Sequence, residues 1–118
     1  MRFRAELVRG TTPGLVLALL AERPMHGYEL ARLIEERSAG ALALGQGTLY
    51  PVLHRLEREG LIAGWWEGRQ GGPERRVYRL TPAGHGVLVE HRQEWQAFVE
   101  VIGRFLGSGQ TVPGAQPS

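Results

Sequence analysis

The sequence contains no cysteine, no lysine and no aspartate. Without cysteine the chain has no disulfide bonds, no thiolate metal site and no cysteine nucleophile, which fits a reducing compartment. All 14 basic residues are therefore arginine, and all 12 acidic residues are glutamate. Codon bias in a GC-rich genome explains this composition as readily as a nucleic-acid partner does, so the positions of the arginines matter more than their number.

Long apolar runs are also missing. None approaches the ~20 residues that a membrane-spanning helix requires. The stretch GLVLALLA, residues 14–21, follows three arginines and so resembles a secretory signal. Glu6 and the helix-start pair Thr12-Pro13 favour a buried helix instead, because a signal sequence lacks both features. We expect no membrane association and a cytoplasmic protein.

The sequence shows no catalytic constellation and no cofactor motif. His85 and His91 lie six residues apart and therefore lack the i,i+4 spacing of a helical metal site. The glycines of GRQGGP, residues 68–73, are not accompanied by the lysine and the following helix of a phosphate-binding loop. We therefore expect that the protein is not an enzyme and holds no metal or cofactor.

Periodicity, helix-start pairs and glycines divide the chain into elements. Helices are predicted over about 12–22, 26–37 and 48–59, preceded by an arm of residues 1–11 that is separate or extends the first helix. A short strand is predicted near 42–44. The runs LIAGWWEG (61–68) and ERRVYRL (74–80) predict a hairpin with a long tip. Thr81-Pro82 then begins a last helix that ends near Leu106.

This order predicts a mainly α protein, a winged helix-turn-helix with a two-stranded wing and a long C-terminal dimerisation helix. Residues 1–80 would form the DNA-binding domain with its N-terminal arm, and residues 81–106 the dimerisation helix. The Gly/Pro/Ser-rich tail, residues 107–118, is predicted to be disordered.

The third helix lies in GTLYPVLHRLEREGLI, residues 47–62, and has one apolar side and one basic side. Because proline is tolerated in the first turn of a helix, Pro51 predicts a start near Thr48. The tip of the helix would then offer free N–H groups to phosphate, and its first residues to base edges. A solvated face, with Tyr50 packed against a neighbouring helix, is the alternative. The predicted DNA contacts here are Thr48, Tyr50, Pro51, His54, Arg55 and Arg58.

The hairpin is the second basic element. It carries Arg69, Arg75, Arg76 and Arg79 within eleven residues. Arginines of a wing commonly contact the DNA backbone or the minor groove. Alternation places Arg76 on one side of its strand and Arg75 with Val77 on the other. We expect Val77 to point inward, so only some of these arginines reach DNA, and Arg69, Arg75 and Arg76 are the candidates.

An apolar stripe runs along the last helix. A domain of this size has little core left to cover such a stripe, so we expect the stripe of a second copy to cover it in a homodimer. Packing along the first helix of the same chain is the alternative. The predicted dimerisation residues are Leu88, Trp95, Val99, Ile102 and Leu106.

Three segments together resemble the PadR family of bacterial transcriptional regulators: MHGYEL (25–30), GTLYPVLHRLEREGLI (47–62) and RRVYRLTPAG (75–84). The single last helix resembles the short-chain branch of that family. The resemblance implies a homodimer that binds an inverted-repeat operator in double-stranded DNA, mostly as a repressor. It also implies DNA-facing positions at Thr48, Tyr50, Pro51 and Arg55, and a phosphate contact from Tyr28.

The chain departs from the family pattern at GQG, residues 45–47, where a turn containing serine or proline is expected. The base specificity of the family therefore does not carry over to this chain.

The resemblance also implies a small aromatic effector, because tryptophans of some short-chain members line a pore between subunits. Trp95, Phe98 and Trp66 are the candidate effector-binding residues, and a purely structural Trp95 in a dimer core is the alternative. For the whole chain, the alternative function is a winged-helix protein–protein interaction module that does not bind DNA.

Overall fold

The structure, a computed structural model, describes residues 1–107, and of Arg69 it describes the backbone alone. The predicted disordered tail, apart from Gly107, lies outside the described residues. The first compact unit is Met1–Leu88, and the second begins at Val89. In chain order the elements are α1 (Ala5–Arg9), α2 (Thr12–Leu20), β1 (Met25–His26), α3 (Gly27–Arg37), α4 (Gln46–Arg58), β2 (Ile62–Arg69), β3 (Gly72–Leu80) and α5 (Pro82–Leu106).

The core of the first unit is built around α2, as its apolar sequence predicts. Val16 and Leu17 are fully buried and pack with apolar residues of α3, α4 and the sheet. The helix-start pair Thr12-Pro13 predicts Thr12 as the N-cap residue of this helix, and that prediction is wrong, because the N-cap residue is Thr11. Thr12 is already helical, and its hydroxyl donates to the carbonyl oxygen of Val8 at 3.0 Å. The N-terminal residues form the separate helix α1, which the buried Val8 anchors.

The sheet has a third strand that was not predicted from the sequence. Met25 and His26 pair antiparallel with Tyr78 and Val77, and the strand order is β1-β3-β2. A strand of two residues is too short to show alternation, so no periodicity could reveal it. The strand predicted near residues 42–44 is wrong, because those residues form an irregular connection between α3 and α4.

The hairpin tip is shorter than predicted. Arg69 pairs with Gly72, so only Gln70 and Gly71 connect the two strands. Gly71 has a φ of 76°, the left-handed conformation that tight hairpin turns require and glycine adopts without strain. Pro73 made the tip look longer, although a proline at the start of a strand is tolerated.

β3 is buried on both sides at its middle. Tyr78 is 2% exposed and belongs to the main core, whereas Val77 lies on the other side beside its paired residues His26 and Trp65. Val77 is therefore buried as predicted, but the side of the strand that faces the main core is the side of Tyr78. Arg76, two residues earlier, shares that side.

The last helix has the predicted bounds. Thr81 caps it by accepting a hydrogen bond from the backbone N–H of Gly84 at 3.1 Å. Leu88 is 2% exposed and packs in the core of its own chain, so its assignment to the dimer stripe is corrected. Over residues 1–107, no helix combines the length and apolarity needed to cross a membrane.

Candidate nucleic-acid interface

Helix α4 begins earlier than Pro51 predicted. Gly45 is its N-cap residue and Gln46 its first helical residue, so Thr48 lies within the first turn and Pro51 within the second. Proline there removes one helical hydrogen bond, the one to the carbonyl of Gly47. The bond lost is therefore near the exposed start of the helix, where the chain tolerates its loss.

The polar side of α4 is open. Thr48, Pro51, His54, Arg55 and Arg58 are all exposed, whereas Leu49, Leu53 and Leu56 are buried beneath them. Arg55 Nε lies 3.6 Å from Glu59 Oε1, and both side chains are about half exposed. An exposed pair of this kind contributes little to stability, so the Arg55 side chain can readily exchange Glu59 for another anion.

Tyr50 takes a different place from its neighbours on α4. It is half-buried and its ring packs against Gly27, the first residue of α3. A Cβ at position 27 would lie 3.1 Å from Cε1 of this ring and 3.2 Å from its hydroxyl oxygen. Gly27 therefore leaves the space that brings α3 and α4 together, and the alternative interpretation of Tyr50 as a packing residue gains support.

The start of α3 presents a tyrosine to solvent. Nδ1 of His26 accepts a hydrogen bond from the backbone N–H of Glu29 at 3.2 Å and so caps the helix. Tyr28 is 68% exposed and stacks on His26, with ring centroids 6.3 Å apart. This cap was not predicted, although MHGYEL places a histidine three residues before a glutamate at a helix start. A hydrogen bond from Arg23 lowers the pKa of Glu29 and keeps it charged.

The predicted wing arginines lie in different surroundings. Arg75 Nε is buried and, among the described residues, has no hydrogen-bond partner. Arg76 forms an ion pair with Glu57 of α4. The side chain of Arg69 lies outside what the structure describes. Arg76 is thus already paired within the chain, whereas the Nε of Arg75 is not.

A groove of about 830 Å³ brings these parts together within the first unit. It lies between the start of α3, the middle of α4 and the hairpin. Its lining includes Tyr28, His54, Trp66 and Arg75. Predicted residues from three separate segments therefore meet in one groove, whose side chains are mostly aromatic and basic but include Glu29 and Glu74.

The candidate effector residues fall in two places. Trp66 lines this groove and is 60% exposed. Trp95 and Phe98 stack on each other along α5 with ring centroids 5.9 Å apart, and each is about half exposed. Val99 and Leu106 are also exposed, and Ile102 is partly so. Among the described residues, the apolar stripe of α5 is thus left exposed.

Known proteins share this architecture. The model of the transcriptional regulator PadR-like family matches residues 16–90. Transcriptional regulator Rv3488 of Mycobacterium tuberculosis is 42% identical over 90 residues, which cover 75% of this chain and 79% of that protein. A solved transcriptional regulator from Clostridium thermocellum is 28% identical with a TM-score of 0.81, covering 87% of this chain and 97% of its own.

A solved PadR family transcriptional regulator from Eggerthella lenta is 37% identical with a TM-score of 0.73, and the match covers 86% of this chain and 82% of that one. The predicted winged helix-turn-helix fold is therefore confirmed. From its family match, its relatives and its fold together, the chain belongs to the PadR-like family of transcriptional regulators.

Proposed function

We propose that this transcriptional regulator is a homodimer that binds an inverted-repeat operator in double-stranded DNA and represses its own or neighbouring genes. The observation that carries the proposal is the convergence of α3, α4 and the hairpin on one groove, in which arginines and histidines outnumber the two glutamates. Phosphate contacts require cations and N–H donors on one continuous surface, and this groove with the open side of α4 supplies them.

The open side of α4 is the part that reads sequence in this proposal. A helix fits the major groove of DNA, and the residues near its start contact base edges. Thr48, Pro51 and Arg55 are exposed on this side, and Arg58 continues it towards the end of the helix. His54 flanks this side at the groove. Tyr50 contributes by holding α4 against α3.

The hairpin and the start of α3 contact the DNA backbone in this proposal. Arg75 lines the groove and offers its guanidinium to a phosphate oxygen there. Tyr28 offers an exposed hydroxyl beside the N-terminus of α3. Arg69 is the third candidate phosphate contact, from its position at the hairpin tip.

Dimerisation follows from the stripe on α5. Trp95, Val99, Ile102 and Leu106 share one side of the helix at about 100° per residue. Exposed apolar rows of this length mark a protein–protein contact, and the same row of a second copy complements it by two-fold symmetry. Two DNA-binding units related by that symmetry match an inverted repeat.

The proposal is tested by fluorescence anisotropy with duplexes from the promoter of the gene itself and of its neighbours. We expect saturable binding to one of these duplexes, with an affinity that falls steeply as the salt concentration rises, because phosphate contacts release counterions. Binding that is absent, or that ignores both salt and sequence, would instead support a protein–protein interaction module.

Arg55→Ala is expected to weaken operator binding by about 1–3 kcal/mol, the usual contribution of a base-reading arginine. The loss should be much smaller on a random duplex of the same length, because random DNA lacks the base that Arg55 reads. Arg104→Ala is the matched control, since Arg104 also forms an exposed i,i+4 pair with a glutamate. An equal loss on both duplexes would make Arg55 a phosphate contact.

We also propose that a planar aromatic effector binds at Trp95. Trp95 and Phe98 form a half-exposed stacked pair that another flat ring can extend. We expect planar aromatic compounds to quench the tryptophan emission of the wild-type protein, and to quench that of Trp95→Phe much less. Equal quenching of both proteins, or none across a varied compound library, leaves Trp95 as a structural residue.

A further inference from the structure

Arg76 has an unusual path across the hairpin. Its side chain leaves β3, crosses the neighbouring strand at Gly64 and ends on the carboxylate of Glu57 in α4. A Cβ at position 64 would lie 2.9 Å from Arg76 Nε and 3.0 Å from Nη2. Any larger residue at position 64 would therefore push the guanidinium from this path, along which it reaches the helix.

Aromatic rings enclose the same guanidinium. Its Cζ lies 5.4 Å from the ring centroid of Trp66 and 5.9 Å from that of Tyr78. Tyr78 belongs to the core, and burial, followed by the charge of Glu57, raises the pKa of its hydroxyl, which therefore stays neutral. Arginine favours such stacking on aromatic faces, which restricts the rotamers that it can adopt.

Both partners of this ion pair are less than one-third exposed, which is true of no other ion pair among the described residues. The side chains of Arg76 and Glu57 are 30% and 29% exposed, whereas those of the Arg32–Glu36 pair are 48% and 59% exposed. Its partners are 19 residues apart and belong to different elements. The contact therefore joins two elements, instead of stabilising one helix as an i,i+4 pair does.

We propose that Arg76 and Glu57 are positioning residues that lock the hairpin to α4. This inference rests on the proposed function, in which α4 reads bases and the hairpin contacts the backbone. A duplex satisfies both contacts at once only if the distance between the two elements is fixed before binding, which reduces the entropy lost on association. Arg76 thereby acts on DNA recognition through protein geometry and not as a cation on phosphate.

The sign of one substitution separates these two roles. Glu57→Gln removes a negative charge beside a DNA-binding surface, which by electrostatics alone strengthens binding to every duplex. If Glu57 holds the hairpin in place, the same substitution weakens binding to the operator. We expect about a tenfold loss on the operator, and unchanged or tighter binding to a random duplex.

The test uses Glu57→Gln, Arg76→Gln, the double variant and Gly64→Ala, with anisotropy on the operator and on a random duplex. The double variant should bind the operator no more weakly than Arg76→Gln alone, because one contact is lost in each case. Gly64→Ala should lower operator affinity without any change of charge. Glu22→Gln, which removes a glutamate from the exposed pair with Arg37, is the control. It should change neither the affinity for the operator nor the affinity for the random duplex.

Amide hydrogen exchange of the DNA-free protein provides a readout that does not depend on DNA. Glu57→Gln and Arg76→Gln should each accelerate exchange over residues 62–80, by similar factors, while Glu22→Gln should not. Unchanged exchange in the hairpin, additive losses in the double variant, or tighter binding of Glu57→Gln to both duplexes each overturn the lock. If the wild-type protein binds no duplex, the proposed function is overturned. Hydrogen exchange of the DNA-free protein still tests whether Arg76 and Glu57 hold the hairpin to α4.

Discussion

Gly84→Ala is expected to destabilise the protein by about 2–3 kcal/mol, the effect of forcing a side chain into a filled space. A Cβ at this position would lie 2.0 Å from the backbone carbonyl oxygen of Leu61 and 2.7 Å from Leu80 Cδ1. The same carbonyl accepts a hydrogen bond from the N–H of Thr81 at 3.1 Å. Moving the first turn of α5 away from Leu61 therefore also strains this bond. Urea unfolding at a fixed protein concentration measures the loss.

Gly86→Ala is the matched control, two residues further along the same helix. A Cβ there meets nothing within 4 Å, and the position is exposed. Alanine should therefore stabilise the protein by up to about 1 kcal/mol, because it loses less backbone entropy than glycine in a helix. We therefore expect changes in the free energy of unfolding of opposite sign for Gly84→Ala and Gly86→Ala. If both variants were more stable than the wild type, α5 would not begin directly against Leu61.

Val99→Glu is expected to convert the proposed homodimer into a monomer at micromolar concentration. Val99 is 47% exposed in the middle of the apolar stripe. By two-fold symmetry the substitution places two carboxylates in one interface, where desolvation without a partner costs several kcal/mol. Analytical ultracentrifugation should show the change in mass. Operator affinity should fall with it, because each half-site would then be bound independently.

Gln93→Glu controls for charge alone. Position 93 is exposed and lies on the side of α5 away from Val99, at about 100° per residue. This variant should remain a dimer with wild-type affinity for the operator. A Val99→Glu protein that keeps its mass but loses stability would favour the alternative. In that alternative the stripe packs along the helix predicted first, α2, of its own chain.

The elements of this fold could be predicted where periodicity or a turn residue marks them. The bounds of α5 follow from Thr81-Pro82 and the long apolar stripe, and Gly60 marks where α4 gives way to the hairpin. β1 could not be predicted, because its two residues become a strand only by pairing with β3. The start of α4 was misplaced because a proline limits where a helix begins without fixing it.

The sequence predicts which residues of the candidate site are exposed better than it predicts what each of them contacts. The exposed side of α4 follows directly from the helical period, so Arg55 and Arg58 are where the sequence places them. The environments of Tyr50 and Arg76 depend on tertiary contacts with Gly27 and Glu57. No local pattern distinguishes an arginine on an open strand from one that crosses a glycine to reach a helix. Leu88 continues the period of the stripe, yet it is buried in its own unit.

The position of His26 couples the opening of β1 to the opening of α3 in thermal fluctuations. It is the last residue of β1, paired with Val77, and also the N-cap of α3. A fluctuation that separates β1 from β3 therefore uncaps α3 as well, because one residue serves both elements. We expect the backbone amides of Glu29 and Val77 to exchange with solvent deuterium in a single cooperative opening, with the same dependence on denaturant.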